Sequence, residues 1–218
     1  MDQATADSMK LLKKMLESGK LTRGAVVSQA EEKLRQVLGH PYVSLLSSGT
    51  GAIHAGLLAL DLQPGDEVIT ISYTFSAPLN MILATGATAV LIDQDPSYRL
   101  DVNQLETAIT PRTKGIVTVD LFGLVNDYAA IAEFAHRHDL WIVADACQSL
   151  GSSAVGLYPA LAHCEVVAGS FFETKQVSTG EGGVVLTKDQ PLLDRVNMFA
   201  SHGQPRGVQY EYEVIGYN

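Results

Sequence analysis

Cysteine is nearly absent: Cys147 and Cys164 are the whole supply in 218 residues. Two thiols offer neither a disulfide framework nor the ligand spacing of a metal site. Positive charge is also scarce, with 15 Lys and Arg against 24 Asp and Glu and a formal net charge of −9. Without a basic stripe to neutralise phosphates, nucleic acid is excluded as an expected partner. The small cationic run from Lys10 to Lys14 reads as one solvated helix face. No apolar stretch reaches the length of a membrane span. The opening Met-Asp-Gln-Ala-Thr-Ala-Asp lacks a basic segment followed by an apolar core, so a cytoplasmic location without a membrane partner is expected. Internal repeats, low-complexity tracts and long linkers are missing too.

What remains is a chain that is 46% hydrophobic and 18% charged, enough to bury a sizeable core. Apolar residues recur at helical spacing over 5–18 and 26–38. Short apolar runs bounded by turn residues then predict strands near 67–71, 88–92, 115–119, 141–145, 165–171 and 183–187. Helical patterns near 51–61, 75–85, 102–109, 127–138 and 190–200 fill the gaps. Such alternation implies an α/β fold, three layers with helices on both faces of a mostly parallel mixed sheet. Residues 1–40 are expected to form a helical arm and 41–218 the main domain.

Three segments carry chemistry. Lys175 closes the run Ser170-Phe-Phe-Glu-Thr-Lys175, just past a predicted strand and ahead of Gly180-Glu-Gly-Gly183. An amine held there suits covalent attachment to an aldehyde, although a lone lysine is more often a surface residue. Asp145 ends the apolar run Trp141-Ile-Val-Ala-Asp145, at the sheet edge where ligands of open α/β sheets collect. It could hold a heterocyclic nitrogen protonated or merely cap the next helix. Gln148 follows as either a surface amide or a donor to a ring oxygen. Ser47-Ser48-Gly49-Thr50-Gly51 opens an apolar helix, so its free amides could cup a phosphate, or the segment could be only a cap.

On these stretches, in order and through almost the whole chain, the sequence resembles the DegT/DnrJ/EryC1/StrS aminotransferases. Further matching stretches are Pro64-Gly-Asp-Glu-Val-Ile-Thr70, Ser72-Tyr-Thr-Phe75, Thr85-Gly-Ala-Thr88, Ile109-Thr-Pro-Arg-Thr-Lys114 and Gly216-Tyr-Asn218. The resemblance implies a large domain of the fold type I class that binds pyridoxal 5'-phosphate. It also implies that Lys175 bonds the cofactor's aldehyde and moves protons, that Asp145 pairs with the pyridine nitrogen, and that Gln148 meets the ring oxygen. Phe75 would stack on the ring, and core packing is the plainer role for it. Gly49, Thr50, Gly51 and Ser170 would hold the phosphate, joined by Asn218 from across a two-fold interface. A homodimer is therefore expected, its amino-terminal arm crossing onto the partner.

The implied reaction moves an amino group from an amino acid such as glutamate to a nucleotide-linked keto-sugar. Arg23, Arg99 or Arg206 could hold the diphosphate of such a substrate. In the resembled family a dehydratase branch carries histidine at the lysine position, so lysine here favours transamination. Family members run on past the Gly-Tyr-Asn point into a smaller carboxyl-terminal domain. The expectation is therefore a cofactor-binding large domain without that second domain, and an inactive cofactor-binding fragment or regulatory subunit is the alternative. A generic α/β domain binding some other phosphate is a third. No metal is expected: His136 and His138 lie two apart on a predicted helix and point to different faces, and His54 sits on an otherwise apolar helix. Glu181 and His202 could line a cleft or be ordinary solvated residues.

Overall fold

β-branched and aliphatic runs become strands because their stiff side chains pack well on a pleated surface. The computed structural model describes residues 3–152, 158–205, 207–208 and 210–218. Its strands are β1 (Tyr42–Leu46), β2 (Glu67–Ile71), β3 (Thr88–Ile92), β4 (Thr113–Val119), β5 (Trp141–Asp145), β6 (Val166–Ser170) and β7 (Gly183–Thr187). They form one seven-stranded sheet in the order β1-β7-β6-β5-β4-β2-β3. Strands β2 to β6 pair in parallel, whereas β7 runs antiparallel to both its neighbours, β6 and β1.

Successive strand residues point to opposite faces, and each face has its own core. Val68, Val117, Val143, Val166 and Val185 pack with α3 (Gly49–Ala59), α4 (Ala77–Ala84) and α8 (Gln190–Phe199). Ile69, Ile116, Ile142, Val167 and Leu186 pack on the other face, against Leu34 and Leu38 of α2 (Ala25–Leu38), Leu105 of α5 (Leu105–Ala108), α6 (Tyr128–Arg137) and α7 (Ala160–His163). The result is the expected α/β architecture, a mixed and mostly parallel sheet between two helical layers. Ahead of it α1 (Gln3–Ser18) exposes Met9, Leu11, Leu12 and Leu16 to solvent.

Several boundaries differ from the sequence reading. Strand β1 was not expected, because its Ser44 breaks the apolar run; that hydroxyl is buried and bonded to Asn197 and Arg23, partners remote in sequence. Helix α7, four residues long, is too short to show a period. The helix expected over 102–109 is a 3-10 turn at Val102–Gln104 followed by α5. Helix α4 starts at Ala77, which leaves Phe75 in the preceding turn rather than on the helix. Helix α3 starts two residues early, at Gly49.

Among the described residues no helix is long and apolar enough to cross a membrane.

Candidate active site

The carboxyl ends of the parallel strands gather the polar groups that the core excludes. Asp145 is the last residue of β5 and Ser170 the last of β6. Helix α3 begins just after β1, and its amino terminus is shaped by Ser48. That residue is extended, and its Oγ accepts the Gly51 amide at 3.0 Å. The cap uses Gly51, and the Ser48 carbonyl takes the Ala52 amide, leaving the amides of Gly49 and Thr50 for a ligand.

Two glycines are dictated by close approach. A Cβ on Gly49 would lie 2.8 Å from both Cys147 Sγ and Ser170 Cβ, and one on Gly183 would lie 2.0 Å from the Ser48 carbonyl oxygen. The start of α3 is thereby pressed against the ends of β6 and β7. Ser170 Oγ accepts the Phe172 amide at 3.2 Å, so its proton is free to be donated outward.

Lys175 lies in the loop joining β6 to β7. Its amide donates to the Phe172 carbonyl at 2.9 Å, and the loop is closed by Phe171 donating to Gly182 and Thr179 donating to Phe171. Asp145 is buried, and its Oδ1 accepts the Cys147 amide at 3.0 Å. Burial pushes its carboxyl above the usual value; hydrogen bonding from Cys147 and the nearby Lys175 charge act the other way, while the charge of Asp120 adds to the rise. Burial and the Asp145 charge together keep the Cys147 thiol protonated, so it is a poor nucleophile. Gln148 is committed through its Oε1, which accepts the Phe122 amide at 2.8 Å.

These groups line one cavity of about 480 Å³, together with Phe75, Phe172 and Glu181. The donor set suits a flat heterocycle bearing an anion. Amides and a hydroxyl stand at the mouth of α3, a buried carboxylate lies at the end of β5, and a primary amine rises from the loop. Thr74 Oγ1, which also lines the cavity, is buried without a hydrogen-bond partner. Such an orphaned polar atom fits a ligand-bearing site.

Not every expected site residue arrives there. Gly51 and Asn218 line a separate cavity of about 660 Å³ with His54, His202 and Arg23, and the Gly51 amide is spent on the cap. Within one copy of the chain, therefore, neither reaches the Lys175 cavity. Among the arginines considered for a diphosphate, Arg23 is tied to Asn197, Ser44 and the Leu45 carbonyl. Arg99 is tied to the Val125 carbonyl and Ser97, and Arg206 lies outside the described residues. Sequence reasoning missed Thr74 and Phe172, and it treated Cys147 as core filler. Thr74 was within reach, as the neighbour of Phe75 in a segment already singled out. Among the described residues no group of three His, Cys, Asp or Glu side chains could hold a metal.

Comparison with known proteins identifies the family of the chain. The profile of the DegT/DnrJ/EryC1/StrS aminotransferase family matches residues 2–218. The chain is 36% identical over 197 residues to GDP-perosamine synthase of Caulobacter vibrioides, covering 89% of this chain and 53% of that protein. It is 37% identical over 215 residues to the 3-oxo-glucose-6-phosphate:glutamate aminotransferase of Bacillus subtilis, covering 97% and 48%. The crystal structure of NtdA from Bacillus subtilis with bound cofactor PMP superposes with a TM-score of 0.92 at 34% identity, covering 100% of this chain and 49% of that one. The chain thus spans about half the length of the curated relatives it matches.

Proposed function

Since the chain belongs to the DegT/DnrJ/EryC1/StrS aminotransferase family, we propose that it binds pyridoxal 5'-phosphate and, paired with a second copy, transfers an amino group from an amino acid such as glutamate to a keto-sugar. The observation that carries this reading is the single cavity shared by Lys175, Asp145, Gly49, Thr50 and Ser170. When bound, the cofactor supplies an electron sink for the carbon that gains or loses the amino group.

The chain's own residues have divided tasks in this reading. The amides of Gly49 and Thr50 and the hydroxyl of Ser170 bind the phosphate at the positive end of α3. Asp145 faces the ring nitrogen from β5, where its low-dielectric surroundings strengthen its attraction for a cation. Lys175 Nζ anchors the aldehyde and afterwards carries protons to and from the reacting carbon. Phe75 covers one ring face and keeps water off it, and the Gln148 side-chain amide nitrogen remains available to the ring oxygen.

We read residues 1–40 as an arm and 41–218 as the cofactor-binding unit; the exposed apolar residues of α1 support the arm, while Leu34 and Leu38 of α2 root it on the sheet. A homodimer is part of the reading, because Asn218 lies outside the Lys175 cavity and can serve only a neighbour's. The keto-sugar is taken to be nucleotide-linked, as the name of the GDP-perosamine synthase suggests for that relative.

Added cofactor should give the purified chain the absorbance of a lysine-bound aldehyde, and Lys175→Ala should abolish that band. An unchanged spectrum in the variant would remove Lys175 from its role. Glutamate should then convert the bound cofactor to its amine form. A loaded chain that glutamate leaves unaltered would instead be an inactive cofactor-binding unit.

A further inference from the structure

Asp120 follows β4, is fully buried, and has no cationic partner among the described residues. Its Oδ1 accepts the Asn126 amide at 2.9 Å, the Asn126 side-chain amide at 2.6 Å and the Tyr128 hydroxyl at 3.1 Å. Its Oδ2 accepts the Ser149 hydroxyl at 3.1 Å and the Tyr158 hydroxyl. Burial holds both tyrosines well above their ordinary titration range, so they stay protonated and donate. The two Asn126 groups are fixed donors to Oδ1, and the Ser149 and Tyr158 hydroxyls, 2.8 Å apart, turn at least one proton to Oδ2, a setting that suits an acceptor side chain.

An unpaired buried carboxylate is costly even when fully hydrogen-bonded, and its location suggests what offsets that cost. Ser149 directly follows Gln148 in the turn that begins at Asp145. The Asp120 amide donates to the Asp145 carbonyl at 3.1 Å, and the neighbouring Phe122 amide holds Gln148. Phe122 adopts a left-handed φ of 57° to do so, a conformation that costs a non-glycine residue energy and is kept only where surrounding bonds impose it. One short bend, 120–122, thus grips the 145–149 turn at several points.

We propose that Asp120 is a positioning residue for the cofactor site: it fixes the turn bearing Asp145 through Ser149, and its buried charge favours a cation opposite Asp145. This rests on the pairing of Asp145 with the ring nitrogen put forward above.

The test compares the affinity of the full chain for pyridoxal phosphate with that for its 1-deaza analogue, in which the ring nitrogen is a carbon. Loss of packing alone would weaken both ligands alike, whereas loss of the nitrogen contact lowers the ratio. Asp120→Asn should lower the preference for pyridoxal phosphate by about three- to tenfold, the range expected for a hydrogen bond's net worth. Ser149→Ala, a milder change, should lower it by roughly twofold and serves if the first variant does not fold. Asp145→Ala should remove the preference. If Asp145→Ala does so while the other two keep the wild-type ratio, the role of Asp120 is overturned and the pairing stands. If Asp145→Ala keeps the ratio, the pairing falls and the role of Asp120 with it.

Discussion

His54 shows what burial does to a single ionisable group. It sits on α3, its Nε2 has no hydrogen-bond partner, and its ring lies 4.7 Å from that of Tyr217. Burial lowers its pKa from 6.5, so the folded chain prefers the neutral imidazole. Its contribution to stability is complete above the unfolded value of 6.5 and is lost as pH falls through the lowered folded value. The denaturant midpoint should therefore drop on acidification from about pH 7.5 to 5. His54→Phe should drop less over the same interval, and a wild-type profile in that variant would contradict the assignment. His40, also lowered by burial, keeps part of the slope. At this scale the sequence was legible wherever chemistry is carried by an uncommon residue in a short motif. Lys175 and Asp145 could be singled out because each stands beside a predicted strand end, and Ser170 through the family resemblance; the fold brings all three to one cavity. Asp120 could not, since an aspartate after an apolar run resembles any cap. Its donors come from as far away as Tyr158, and only the folded chain assembles them.

Elements were readable in proportion to their length and uniformity. The bounds of β2, β3, β5 and β7 were as expected, because each is a short run rich in β-branched and apolar residues between turn residues. Strand β1 was hidden by Ser44, which the network of Arg23 and Asn197 makes tolerable in the core. Helix α3 is the element on which the site leans most. The Ser48 side chain satisfies the Gly51 amide and so fixes the direction of the two amides left for an anion. Ser48→Ala should cost about 1 kcal/mol of stability, as cap removals do, read as a shift in urea midpoint. It should also weaken retention of the cofactor on dialysis. Stability lost with retention intact would mean that the cap does not orient the phosphate cup.

For the whole molecule the exposed aromatics matter most. Phe75 is 70% exposed, and Tyr73, Tyr98 and Phe122 form a contiguous ring group on the surface. Patches of this kind commonly mark an interaction face. Multi-angle light scattering of the cofactor-loaded chain should give twice the 23.4 kDa of one copy; a monomer that still holds cofactor would refute assembly across a two-fold axis. The layered fold was legible from alternation, whereas the exposed aromatic face was not, because no local pattern records that Tyr73, Tyr98 and Phe122 meet.

The contact between Gly183 and Ser48 carries one more consequence. With no room for even a methyl group between them, the lip of the anion cup and the root of the amine-bearing loop behave as a single jaw. Grip at one end of a seated molecule is mechanically grip at the other, so a loose phosphate and a misplaced amine would be the same defect seen from two sides.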